Sequence, residues 1–180
     1  GGTASFTVVL TSQPAANVTI GLSSSDTTEG TVSPASVTFT SANWSTPQTV
    51  TVTGVNDDLD DGNIGYTIVT AAATSSDGGY SGLNASDVSA TTTDNDVSGV
   101  TVSAISGNTT EAGGTATFTV VLTAQPTTNV SLGLSSNDTT EGTASPASVT
   151  FTSGNWSTPQ TVTVTGVNDG LDDGDIAYGI

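Results

Sequence analysis

The 180-residue chain has no Lys, Arg, His, Cys or Met. Without Lys and Arg there is no clamp for phosphates and no footprint for nucleic acid. Without Lys there is no Schiff base and no P-loop. Without His and Cys there is no Ser-His-Asp or Cys-His catalysis, and no ordinary zinc, haem or iron–sulfur site. No disulfide can form. Against these absences stand 17 acids and a formal charge of −17. No side chain can pair with them, so solvent or bound cations must compensate the charge.

Hydrophobic residues make up 33% and charged residues 9%. Ser and Thr together account for 61 positions. A chain rich in Thr, Val and Ser and punctuated by Gly reads as all-β. There is no signal peptide, no long apolar run and no initiator Met, so no membrane insertion is expected in this segment and it reads as an internal piece of a longer chain.

Residues 1–68 align without a gap on residues 113–180, at an offset of 112, with 55 identities in 68. Trp44 matches Trp156 and Tyr66 matches Tyr178. A period of that length fits one sandwich domain per repeat. The expected domains are 1–97, lacking its first strand, and 98–180, lacking its last strands. The missing parts belong either to a longer tandem array or to a neighbouring copy.

Alternation places the strands. Ala4, Phe6, Val8 and Leu10 mark the first, and Val18, Ile20 and Leu22 the second. Val37 and Phe39 mark a third, and Val50 and Val52 a fourth. Ile64, Tyr66 and Ile68 mark a fifth that runs on to Thr70 and Ala72. Val88 and Ala90 mark a sixth, and Val100 and Val102 open the next unit. The expectation is tandem Ig-like β-sandwiches of about seven strands each, with negligible helix. Trp44 and Trp156 each read either as a ligand-stacking platform or as a plug at one end of the sandwich.

The acids collect in turns. Asp57, Asp58, Asp60 and Asp61 fall within five residues, Asp94 and Asp96 flank Asn95, Asp26 precedes Glu29 in SSDTTEG, and Glu111 stands ahead of Gly113 and Gly114. Two carboxylates about 5 Å apart repel by roughly 1 kcal/mol even in water. Several together with Asn carbonyls suit a hard cation with six to eight oxygen ligands, Ca²⁺ before Mg²⁺ or Zn²⁺. The plain alternative is a solvated acidic turn. An EF-hand is excluded, because the twelfth position from Asp57 is Ile68 instead of Glu.

Four motifs in order, EAGGTATF at 111–118, SSNDTTEGT at 135–143, VNDGLDDGD at 167–175 and TTTDND at 91–96, resemble those of the Calx-beta domain. Members of that family are Ig-like sandwiches that bind Ca²⁺ through loops at one end. They occur in sodium–calcium exchangers, in an integrin subunit and in large repetitive bacterial surface and matrix proteins. The resemblance implies Asp26, Asp57, Asp61, Asp94, Asn95 and Asp96 as metal ligands of the first unit. It implies Glu111, Asp138, Asp169 and Asp173 for the second, with Asp60 and Asp172 as alternatives to their neighbours. Asn56 and Asn168 depart from the family's first Asp, and Ile64 and Ile176 from a second ligating Glu, so fewer ions per unit are expected.

The functional expectation is a structural repeat protein, extracellular or on the cell surface, of the kind that the resemblance implies for bacteria. It would be a stalk, adhesin or matrix filament stiffened by Ca²⁺ near its domain junctions. The outward Ser and Thr faces carry few charges to oppose edge pairing, so self-association into fibres is expected as well. The alternative is a module that binds glycans or another partner through Tyr80, Trp44 or Trp156. Enzyme chemistry would be restricted to a carboxylate pair and is not expected. Seven Asn-x-Ser/Thr sequons, at Asn17, Asn43, Asn84, Asn108, Asn129, Asn137 and Asn155, can accept surface glycans, but follow largely from the Ser/Thr content.

Overall fold

A computed structural model describes residues 1–168, 170 and 174–180. Chain contacts divide it into two compact units. The first holds Gly1–Asp57 and Asp61–Asp94, and the second holds Asp58–Asp60 and Asn95–Ile180. Among the described residues there are thirteen strands, all paired antiparallel, and no helix.

In the first unit, β1 (Thr3–Val8), β5 (Gln48–Gly54) and β3 (Gly30–Ser33) form one sheet in the order β1-β5-β3. The other sheet holds β2 (Val18–Ser24), β4 (Ser36–Phe39), β6 (Ile64–Thr70) and β7 (Val88–Thr92), in the order β4-β2-β6-β7. Side chains of a strand point alternately to its two faces. Val18, Ile20 and Leu22 of β2, Val37 and Phe39 of β4, and Val50 and Val52 of β5 are therefore buried together, while the Thr and Ser between them stay more exposed. One cluster unites Val50 with Val18, Ile20, Val37 and Phe39, and a second unites Val52 with Tyr66 and Ile68. Both draw on both sheets, so the unit is a β-sandwich.

The strand reading needs three corrections. β3 lies where alternation marks nothing, because GTVS offers a single large apolar residue and is only four residues long. β1 ends at Val8, short of Leu10, whose amide instead donates to the Trp44 carbonyl at 3.1 Å. β6 ends at Thr70, short of Ala72. Thr70 is buried, and its amide and hydroxyl donate to Asp87 Oδ1 at 2.8 and 3.2 Å. Those bonds satisfy polar groups that burial would otherwise penalise.

Trp44 packs, half-buried, against the first core cluster. That position agrees with the plug reading. Tyr80 packs on the same cluster, and its hydroxyl donates to the Ser12 carbonyl.

In the second unit, β8 (Val100–Val102), β9 (Thr115–Leu122), β11 (Gly142–Ser145) and β13 (Gln160–Gly166) form a sheet in the order β11-β13-β9-β8. β10 (Val130–Gly133) and β12 (Ser148–Phe151) form a two-stranded sheet. Registers repeat those of the first unit at the same offset: Phe6 faces Val50, and Phe118 faces Val162. Val120, Leu122, Val149, Phe151 and Val162 make its core, with Trp156 against it.

Candidate metal centre

Strand ends decide which acids can meet. β2 ends at Ser24, β3 starts at Gly30, β5 ends at Gly54 and β6 starts at Ile64. Gly30 faces Gly54, and Ile64 faces Thr92 at the end of β7. The β2–β3 turn, the β5–β6 loop and the segment after β7 therefore lie at one end of the first sandwich, and each carries carboxylates.

The β2–β3 turn is rigidly bonded. The Gly30 amide donates to the Asp26 carbonyl at 3.1 Å. Asp26 Oδ1 accepts the Thr28 amide at 3.0 Å and its hydroxyl at 2.5 Å. These bonds hold the Asp26 carboxyl below its ordinary range, the hydroxyl contributing most. The Glu29 carbonyl accepts the Val55 amide at 2.8 Å and the Thr92 hydroxyl at 2.6 Å. Together they fix the Glu29 backbone between β5 and β7.

Glu29 is only 8% exposed. One oxygen from each of Glu29, Asp57 and Asp61 lies within 4.8 Å of the others. Among the described residues no donor is bonded to the Glu29 carboxylate. Burial pushes its pKa up, and the charges of Asp61, Asp57, Asp26 and Asp94 push it the same way. A carboxylate set among like charges on a largely buried residue, in a chain with no cationic side chain, is a site that a bound cation would relieve. All its donors are oxygens, as a hard cation requires.

The Asp57–Asp61 run does not act as one cluster. Asp57 and Asp61 join Glu29, whereas Asp58–Asp60 belong to the second unit. There the Asp58 carbonyl accepts the Gln125 amide at 2.7 Å, and Asp60 Oδ2 accepts the Ser98 amide at 2.8 Å. Gly62, at a φ of 80°, closes the loop and donates its amide to Asp94 Oδ2 at 2.8 Å. A left-handed φ favours Gly at that position.

Of the residues named from sequence, Asp57 and Asp61 come together. Asp26 and Asp94 stand near enough to raise the Glu29 pKa. Asn95 and Asp96 fall in the second unit. Asp138 repeats the Asp26 arrangement, its Oδ1 accepting the Thr140 amide at 3.1 Å and hydroxyl at 2.6 Å. Glu111 is exposed and lines a cavity of the second unit. Asp169, Asp173 and Asp172 lie outside the described residues.

Glu29 is the residue that the ligand assignment leaves out. Its signal was a Glu directly before a strand, and that strand, β3, was the unread one. Comparison with models of known protein families and with curated proteins finds no match for this chain.

Proposed function

We propose that the chain is a non-catalytic structural segment of an extracellular repeat protein, a stalk, adhesin or matrix filament, whose acidic loops bind Ca²⁺. The observation that carries this reading is the Glu29–Asp57–Asp61 group, one carboxylate oxygen from each lying within 4.8 Å of the others. Ca²⁺ accepts six to eight oxygens in flexible geometry, so carboxylates from two separate loops suit it. Mg²⁺ keeps more of its water and holds to a stricter octahedron. Ion binding would tie the β2–β3 turn to the β5–β6 loop and stiffen that end of the sandwich. The resemblance to Calx-beta domains points the same way, as does the near-identity of residues 1–68 and 113–180, which favours a role based on length. Trp44 on the core and the Tyr80 hydroxyl bonded to Ser12 support structural roles for both aromatics.

The test is thermal unfolding of the chain in chelator, in Ca²⁺ and in equimolar Mg²⁺. A saturable rise in melting temperature specific to Ca²⁺ is expected, since a ligand at 100 times its Kd adds about 2.7 kcal/mol. No shift at millimolar Ca²⁺ would leave the acids as solvated turns and the segment as a plain Ser/Thr-rich spacer.

A further inference from the structure

Among the described residues, β4 pairs with β2 alone and β12 with β10 alone, so each has an outer edge. The amides and carbonyls along such an edge are a template for a strand of another chain. Charge is a common deterrent, and here it is missing: residues 30–56 and 142–168 hold no charged side chain. Both strands have the sequence SVTF, so copies of the chain offer one another matching edges.

Register fixes which backbone groups face outwards. Thr19 of β2 stands opposite Thr38 of β4. The Thr19 amide and carbonyl are both spent on Thr74, at 3.0 and 2.9 Å, and the next outward-facing carbonyl of β2 on that side, Gly21, accepts the Ala71 amide at 2.9 Å. Ala71 and Thr74 follow β6, so these bonds lie on the side of β2 away from β4. Thr19 and Thr38 are then a pair without mutual backbone bonds, and the Thr38 amide and carbonyl point away from β2 to the outer edge.

That edge is already occupied. The Thr38 carbonyl accepts Gln48 Nε2 at 2.7 Å and Asn43 Nδ2 at 3.4 Å. A carbonyl oxygen has two lone pairs, and both are used. Asn43 Oδ1 accepts the Thr40 amide just beyond the strand at 2.6 Å. One carboxamide therefore supplies a donor and an acceptor to the edge, as an added strand would. Gln48 reaches Thr38 from the first residue of β5, in the other sheet. The second unit repeats the arrangement. Gln160 Nε2 and Asn155 Nδ2 donate to the Thr150 carbonyl at 2.8 and 3.3 Å, and Asn155 Oδ1 accepts the Thr152 amide at 2.6 Å.

We propose that Asn43 with Gln48, and Asn155 with Gln160, are edge locks that bar a second copy of this chain from adding a strand to β4 or β12. Side-chain amides do here what charged side chains do on other edges. Association between copies is thereby directed to other surfaces of the sandwich. No acid takes part in the locks, so they stand or fall separately from the Ca²⁺ reading.

The experiment compares the 180-residue chain with a variant carrying Asn43→Ala, Gln48→Leu, Asn155→Ala and Gln160→Leu. A control carries Gln13→Leu and Gln125→Leu. Those two amides donate to the Ser41 and Ser153 carbonyls at 3.1 and 3.2 Å, past the ends of β4 and β12. Association is read by sedimentation across a concentration series, in chelator and in Ca²⁺, and its location by amide hydrogen exchange. The unlocked variant should associate at a concentration at least about tenfold lower than the parent, since two edge bonds per unit no longer compete. New protection should appear at 36–40 and 148–152, and the control should behave as the parent. Gln48→Leu with Gln160→Leu leaves the Asn43 and Asn155 turns tied, and it should shift association in the same direction, which keeps the test decisive if all four changes unfold the chain. Four results would each overturn the proposal: no gain in association in a folded unlocked variant, an equal gain in the control, new protection confined to other segments, or protection at 36–40 that rises with concentration in the parent itself.

Discussion

The phenol of Tyr66 occupies the space that a side chain at Gly30 would need, and no Cβ fits there without moving the ring. The ring stacks on bare backbone at the first residue of β3, next to the candidate cation ligand Glu29. Gly30→Ala should therefore destabilise the first unit by about 1–3 kcal/mol, the usual cost of overpacking. Urea unfolding measures it. Tyr66→Ala should be less harmful in the Gly30→Ala background than alone, because the two residues compete for one volume. Gly142→Ala makes the corresponding clash with Tyr178. Tyr178 sits on a segment outside any strand and can yield, so that variant should cost less.

Glu29→Gln removes the charge and keeps the shape. In chelator at neutral pH the variant should melt at a higher temperature than the parent, since the like charges of Asp57 and Asp61 no longer oppose it. Its Ca²⁺-induced rise should shrink, because ligand charge sets the affinity of such sites. A variant that melts lower in chelator, or keeps the full Ca²⁺ response, would remove Glu29 from the site.

The pH profile in chelator follows from opposed shifts. Glu29 is raised above its ordinary 4.5, so the folded state holds its proton more tightly than the unfolded chain does. Its contribution is complete below 4.5 and is lost as pH rises through the raised value. Asp26 and Asp138 are lowered below their ordinary 3.8 by the bonds from Thr28 and Thr140. Their contribution is present above 3.8 and is lost as pH falls through the lowered values. These groups together place a stability maximum between 3.8 and 4.5. Melting temperatures across an acid series in chelator should show it. Saturating Ca²⁺ should abolish the decline on the neutral side, because the bound ion favours the ionised form of Glu29.

Phe39 is fully buried where β4 meets the other sheet, in the cluster with Val18, Val37 and Val50. Phe39→Ala should cost about 3–5 kcal/mol through lost burial and a residual cavity. Asn43 lies in the turn after it and ties that turn, accepting the Thr40 amide at 2.6 Å and the Thr40 hydroxyl at 3.0 Å. Asn43→Ala should cost about 1 kcal/mol, the typical net worth of such bonds. Chemical denaturation separates these two magnitudes.

Strands carrying two or more large β-branched or aromatic residues at alternate positions were legible from sequence. β2, β4, β5 and β6 each offer such a pair, and burial follows it. β3 was not legible. Its place depends on pairing with β5 at Gly30↔Gly54 through Ser33↔Thr51, a contact distant along the chain. The same non-locality hid Glu29. Asp57 and Asp61 stand out as a run, but the third carboxylate reaches them only because β3 and β5 end at the same level.

The amino-acid sequence alone determined that this chain is all-β, that its acids gather in turns, and that only oxygen chemistry is open to it. Those conclusions rest on alternation and on absent side chains, which are local or compositional properties. Tertiary structure alone decided which acids meet. Pairing of β3 with β5 set Glu29 against Asp57 and Asp61, and a loop turned Asp60 to the Ser98 amide instead. It also decided that Val88 and Ala90 of β7 cover one flank of the first unit. Sheet register joins residues far apart in the chain, and no spacing along the sequence records that distance.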